Sequence, residues 1–151
     1  MLSNLKIRRY KNTDCETLSE LFYETVHSVN AKDYTTEQLF AWAKDCEQLN
    51  SRRNDLFQQY TLIAEADREI VGFGSIDKYG CLDLLFVHKD FQDLGIATAL
   101  CNELEKGFDR IKTYASITAK PFFEKRGYKV IKEQHVDRSG VSLKNYEMHK
   151  C

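Results

Sequence analysis

The residues best suited to chemistry lie close together between positions 82 and 98, where LDLLFVHKDFQDLGIAT joins an apolar strand to an amphipathic helix through a polar loop. A helix start leaves several main-chain N–H groups without carbonyl partners and carries a partial positive charge. Gly95 admits a close approach to that main chain, and Ala97 keeps the first turn unobstructed. The pattern Q-x-x-G-x-A, from Gln92 to Ala97, is therefore suited to cradling a diphosphate. Taken alone it is loose, being neither G-x-G-x-x-G nor a P-loop with its Lys-Ser/Thr pair. Asp83 interrupts the apolar run, and burial there would suit it to accept a proton. A strand-edge Asp that is solvated or ion-paired is the alternative.

Other chemistries find less support. The five cysteines (Cys15, Cys46, Cys81, Cys101, Cys151) are odd in number and form no C-x-x-C pair, which is neither a disulfide framework nor a zinc signature. His27, His88, His135 and His149 are scattered without metal-ligand spacing, so no metal site is expected. Cys81 and His88 differ by an odd number and should face opposite sides of one strand, which argues against a thiol-hydrolase pair.

The elements that position this segment follow from periodicity and turn chemistry. LKIRRY (5–10) reads as a strand. Thr13 with Glu16 forms a capping box before Leu18, Leu21, Phe22, Val26 and Val29 at helical spacing. A second box, Thr35 with Gln38, opens a helix striped by Leu39, Trp42, Ala43 and Cys46, and a short helical stretch comes next around 51–58. TLIAEA (61–66), EIVGFGSID (69–77) and CLDLLFVH (81–88) read as strands joined by short polar turns, hence antiparallel hairpins. Ile96, Ala97, Leu100, Leu104 and Phe108 outline a helix that Gly107 can end. IKTYAS (111–116) is a strand. Thr118 can cap a short helix with Pro121 in its first turn, and Gly127 closes it. A final hairpin turns near Ser139-Gly140. The order predicts one α+β domain over residues 1–151, a mixed and largely antiparallel twisted sheet of six to seven strands flanked by helices.

Composition agrees with such a domain. Over 151 residues, 22 Lys+Arg balance 23 Asp+Glu for a net charge of −1, which disfavours a nucleic-acid partner. Hydrophobic residues at 42% and charged residues at 30% suit a packed core with a solvated exterior rather than disorder. No apolar run approaches the ~20 residues of a membrane span. The N-terminus lacks the apolar stretch of a secretory signal, so a cytoplasmic protein with reduced thiols is expected.

With these motifs in this order, the chain resembles the GNAT superfamily of acyl-CoA-dependent N-acyltransferases. LDLLFVHKDFQDLGIATAL is similar to the family's acetyl-CoA motif, a strand ending in Val followed by Q/R-x-x-G-x-G/A. ASITAKPFFEKRGYKVI resembles its second motif, a short helix closed by Gly-aromatic. YTTEQLFAWA (34–43) and ASITAKPFFEKRGY (115–128) further resemble a YafP-like bacterial subgroup. The likeness spans essentially the whole chain, with both motifs in the family's order.

The resemblance implies acetyl-CoA as cosubstrate, without a metal, and the acyl-CoA N-acyltransferase fold. The loop and first turn, Gln92, Asp93, Leu94, Gly95, Ile96, Ala97 and Thr98, would receive the CoA pyrophosphate, largely on main-chain amides. The main chain at Phe86 and Val87, where the strand splays from its neighbour in the family, would pair with pantetheine. Ser116 stands where relatives often have an Asn that contacts the cofactor. Thr118 and Phe122 lie on the helix beside it, Phe122 equally readable as packing. The segment after the first helix implies an acceptor site near Tyr34 and Trp42, although Tyr34 can instead anchor its loop and Trp42 can be core.

Two departures from the family stand out. Many relatives carry Arg or Lys inside the phosphate loop, whereas Gln92 and Asp93 stand here, so binding must lean on backbone dipoles with Lys89 or Lys125 as outer help. The Tyr that relatives often place before the helix Glu is replaced by Phe123, which cannot donate a proton. Transfer to an amine needs a proton acceptor and a donor or oxyanion stabiliser for the leaving thiolate. Asp83, four residues before Val87, stands where relatives often carry a strand carboxylate. Tyr128 and Tyr146 are fallback donors that can equally be core or cross-strand residues; water or backbone amides are the other option. The leading expectation is direct acetyl transfer to a primary amine of a small molecule in a ternary complex. A non-catalytic acyl-CoA-binding module is the alternative. The acceptor's identity is left open, as is a homodimer, although such domains often pair through their last strands.

Overall fold

The computed structural model describes residues 4–151. Its strands are β1 (Leu5–Arg9), β2 (Tyr60–Ala66), β3 (Glu69–Ile76), β4 (Cys81–Val87), β5 (Ile111–Ser116), β6 (Lys129–Arg138) and β7 (Val141–Lys150). The helices are α1 (Cys15–Ser28), α2 (Thr36–Trp42), α3 (Arg53–Gln58), α4 (Ile96–Leu104) and α5 (Lys120–Lys125). The strands form one sheet in the order β1-β2-β3-β4-β5-β7-β6. Every neighbouring pair is antiparallel except β4 with β5.

Alternating side chains divide the core between the sheet's two faces. Leu62, Ala64 and Val71 pack with Ile96, Leu100 and Leu104 of α4 on one face. Ile63 and Phe73 pack with Leu18, Phe22 and Leu56 of the α1–α3 layer on the other. The glycines of β3 let α4 settle close to the sheet. A Cβ on Gly74 would stand 2.8 Å from Leu104 Cδ1, and one on Gly72 would stand 3.1 Å from Ile96 Cγ2.

Alternation is reset within β4. Ile76 lies opposite Leu82 and Ser75 opposite Leu84, so Asp83 is an extra residue, a β-bulge. Leu82 joins the α4 side while Leu84 and Phe86 join the α1 side. The parity that placed Cys81 and His88 on opposite sides is therefore broken at Asp83. The two residues still sit at opposite ends of the strand, roughly 20 Å apart, and His88 Nδ1 accepts from the Asp90 amide.

Two expected caps move. Asp14, not Thr13, precedes α1 and makes no side-chain cap to it; its carboxylate closes the preceding turn instead, accepting from the Lys11 amide at 2.8 Å and from two nitrogens of Arg8 at 2.9 Å. Ser116, not Thr118, supports the turn into α5, its hydroxyl accepting from the Ala119 amide at 3.0 Å. The Thr35–Gln38 box forms as expected, at 3.1 and 2.9 Å, and Gln38 also donates to Ser142 O, tying α2 to β7. Among the described residues, no helix is long and apolar enough to cross a membrane.

The far end of α4 is held by charge. Glu105 accepts from Arg126 at 2.8 and 3.0 Å, from the Tyr128 hydroxyl at 2.7 Å and from Lys150 at 3.0 Å. Burial pushes this carboxyl up, but the three donors outweigh it and hold it below its ordinary value. A carboxyl depressed in the folded state stabilises above its unfolded pKa of ~4.3, and that contribution is lost as pH falls through the folded value. Glu105→Gln is expected to lower stability by about 3 kcal/mol at pH 7, read from urea unfolding. The gap between variant and parent should shrink on acidification below the carboxylate range; a gap independent of pH would contradict this role.

Candidate active site

β4 and β5 pair over only two positions, Cys81 with Lys112 and Leu82 with Thr113. The Thr113 hydroxyl donates to Leu82 O at 2.9 Å at this last link. Beyond it the bulge at Asp83 turns β4 away, and the two strands part. A cleft of about 1460 Å³ opens there and runs through the sheet. Leu82 to Val87, Thr113 to Ser116, the start of α4, the α1–α2 connection and the β6–β7 hairpin line it. Val87 turns its main chain to the β4 edge that β5 leaves uncovered, whereas Phe86, paired with Phe73, turns its main chain to β3 and offers the cleft its ring.

The start of α4 forms one wall. Gln92 Nε2 donates to Val87 O at 2.6 Å and so fastens the loop to the end of β4. Asp93 (φ 60°) and Gly95 (φ 86°) both adopt left-handed backbone and turn the chain into the helix. The helix ladder begins with Ala99 N to Gly95 O at 2.9 Å, so the amides of Gly95, Ile96, Ala97 and Thr98 precede it without ladder acceptors. A Cβ on Gly95 would meet nothing within 4 Å, so the space above these donors is open. Gln92, Asp93, Ile96, Ala97 and Thr98 line the cleft with Gly95, whereas Leu94 does not. Lys89 and Lys125 do not line it either, so the donors there are backbone. An open glycine beside unpaired amides fits a diphosphate.

On the β5 side, Ser116, Thr118 and Phe122 line the cleft as expected. Their polar atoms are partly occupied: Ser116 Oγ takes the Ala119 amide, and the Thr118 hydroxyl donates to Asp33 Oδ2 at 2.7 Å. Phe122 also packs against the core on the α4 face.

The expected proton-transfer groups fare differently. Asp83 lines the cleft but is exposed rather than buried, because the bulge puts it outside the sheet's alternation. Its Oδ2 takes Arg52 Nη2 and, at 3.2 Å, Gln59 Nε2, while Oδ1 receives no hydrogen bond from a described residue. The ion-paired alternative is thus the observed one, with a single oxygen free. Tyr128 is buried, donates to Glu105 and does not line the cleft. Burial and the neighbouring carboxylate push its hydroxyl far above the usual value. Tyr146 also lies outside the lining, its ring under Lys120 Nζ at 4.7 Å. Neither tyrosine reaches the cleft as a donor.

Tyr34 and Trp42 both line the opposite end. The Tyr34 hydroxyl donates to Lys144 O at 2.7 Å and accepts from Ile117 N at 2.9 Å, so it anchors its segment and offers only its ring. Burial raises its pKa. Trp42 is half-buried, 5.5 Å from Tyr34 and 6.4 Å from Phe86 between ring centroids. Phe22, Thr25, Arg52, Arg138 and Asn145 complete this end and were not legible as site residues. Phe22 falls on the core stripe of α1, and nothing local marks Arg52 as the partner of an Asp in another element. Among the described residues, no group of three or more His, Cys, Asp or Glu could hold a metal.

Comparison with known proteins agrees with this geometry. Residues 30–150 match the model of an acetyltransferase (GNAT) domain. The chain is 33% identical to the N-acetyltransferase YafP of Escherichia coli (strain K12), over 97% of this chain and 96% of that protein. It is 32% identical to a GCN5-related N-acetyltransferase of Rhodopseudomonas palustris, with a TM-score of 0.90 over 99% of this chain and 97% of that one. The PaiA N-acetyltransferase of Thermoplasma acidophilum, solved with coenzyme A, shares the fold at a TM-score of 0.77 and 22% identity, covering 97% and 98% of the two chains. The chain belongs to the GNAT family of acetyltransferases and is an N-acetyltransferase.

Proposed function

We propose that this chain moves the acetyl group of acetyl-CoA to the primary amine of a small molecule by direct attack in a ternary complex. The observation that carries the reading is the row of amides from Gly95 to Thr98 facing open space at one end of a through-sheet cleft. The relative from Thermoplasma acidophilum, solved with coenzyme A, supports the choice of carrier. When bound, acetyl-CoA supplies an activated acyl group: the C–N bond to the acceptor forms, the C–S bond breaks, and the proton shed by nitrogen ends on the departing thiolate through intervening groups or water.

The chain's own residues divide the work. The amides from Gly95 to Thr98 hold the diphosphate with N–H dipoles and the helix field, worth about 1.5–3 kcal/mol per charge-assisted bond. The uncovered edge of β4 offers the Val87 N–H to an extended amide chain, in the manner of an added strand, while the Val87 carbonyl holds Gln92. Asp83 Oδ1 accepts the acceptor's N–H and takes its proton during transfer, while Arg52 and Gln59 fix the carboxylate through Oδ2. With Phe123 in place of a hydroxyl and with Tyr34 committed to backbone, the leaving sulfur draws its proton from water.

Gly95→Ala should weaken acetyl-CoA binding about tenfold, since a Cβ is strained at φ 86° and displaces the amides. Isothermal titration checks this; an unchanged Kd in a folded variant would remove Gly95 from the site. Asp83→Asn should lower kcat about 100-fold and leave the Kd for acetyl-CoA as it was. Full turnover in that variant would exclude Asp83 as the proton acceptor.

A further inference from the structure

The end of the cleft away from the α4 cradle has a composition that selects among amines. Beside Thr25 and Asn145 its apolar wall is made of rings: Phe22 and Phe86 meet edge-on at 5.1 Å, and Trp42 stands between Phe86 and Tyr34. Leu49 and Leu143 extend the same surface. The Tyr34 hydroxyl is spent on Lys144 O and Ile117 N, so it adds no polar group to the wall.

Charge at this end is cationic. Among the described residues, Lys32, Arg52 and Arg138 line the cleft outside the cradle against one carboxylate, Asp83, which already pairs with Arg52. Lys144 also lines the cleft, with its ammonium 3.7 Å from the Glu133 carboxylate. The other acid in the lining, Asp93, belongs to the cradle. A polycation such as a polyamine or aminoglycoside needs several carboxylates to replace its hydration, and here it would meet an excess of its own sign. A single ammonium group would meet the same excess, with Asp83 Oδ1 as the one carboxylate oxygen free to accept from it among the described residues.

We infer that the acceptor is an uncharged amine borne directly on an aromatic ring. This rests on the acetyltransferase reading above. The lone pair of such a nitrogen is delocalised into its ring, so the amine is not protonated at neutral pH and needs no proton removed before it attacks. Its ring packs edge-to-face or offset against Phe22, Trp42 and Phe86. The cationic rim then excludes competing alkylammonium compounds rather than binding the acceptor.

The test begins with acetyl-CoA binding by isothermal titration, because absence of binding would defeat the underlying reading and not this inference alone. With binding established, thiol release is measured with aniline, 2-naphthylamine, 2-phenylethylamine, spermidine and kanamycin. The two ring-borne amines should give the highest kcat/KM at neutral pH, and the ratio of 2-phenylethylamine to aniline turnover should rise with pH as the alkylamine loses its proton. Preference for spermidine, kanamycin or 2-phenylethylamine at neutral pH would overturn the inference while leaving acetyl transfer intact. Trp42 is the only tryptophan, so its emission reports occupancy without turnover. Aniline should quench it in the presence of CoA and spermidine should not; quenching by spermidine alone would overturn the inference. Trp42→Ala should raise KM for aniline about tenfold with kcat nearly unchanged, and Trp42→Phe should restore most of it. An unchanged KM in the folded Ala variant would also overturn it.

Discussion

The parting of β4 from β5 after two residue pairs is the constraint on which the rest of this molecule depends. A parallel pair that stayed closed would bury its main-chain groups in a continuous ladder and leave the two cores separated by the sheet. One inserted residue, Asp83, turns β4 out of line, and the Thr113 hydroxyl closes the last shared rung. The parting opens a passage through the sheet, with main chain exposed along its rim and a different chemical surface at each end. The same bulge sets a carboxylate in that passage, so the feature that opens the site also equips it.

The cradle at one end depends on α4 being held at a fixed height and angle. Gly72 and Gly74 allow its close seating, and Glu105 fixes its far end to three cationic or hydroxyl donors near α5, β6 and β7. A helix so anchored presents its free amides without a further ordering cost, which is the condition for backbone dipoles to bind an anion well. Backbone donors held in this way can serve an anion although the stretch from Gln92 to Ala97 has no basic side chain. The Gln92 amide replaces charge with position, fastening the loop to the end of β4.

Much of this architecture was legible in the sequence because the signals were local. Alternation, helical spacing and turn residues placed nearly every element, and Gly95 with Ala97 marked the open turn before α4 as a candidate cradle once the flanking motifs were read with it. The features that could not be read are non-local. The bulge breaks alternation at Asp83 only because β3 pairs with β4 in a particular register, so an Asp that looked buried in LDLLFV is exposed. Its partner Arg52 comes from a different layer, at 31 positions' remove. Tyr128 looked available because sequence cannot reveal that Glu105 claims its hydroxyl. Thr118 looked like a cap because Asp33, which takes its hydroxyl instead, lies across the cleft in the α1–α2 connection.

If the main-chain donors at the start of α4 hold the pyrophosphate of the acyl carrier, their amides must respond when it binds. Titration of the ¹⁵N-labelled protein with acetyl-CoA, followed by amide NMR, tests this most directly. The largest shifts are expected at Gly95, Ile96, Ala97 and Thr98, with smaller ones at Phe86 and Val87. Saturable binding that leaves those four amides unmoved and shifts another surface would contradict it.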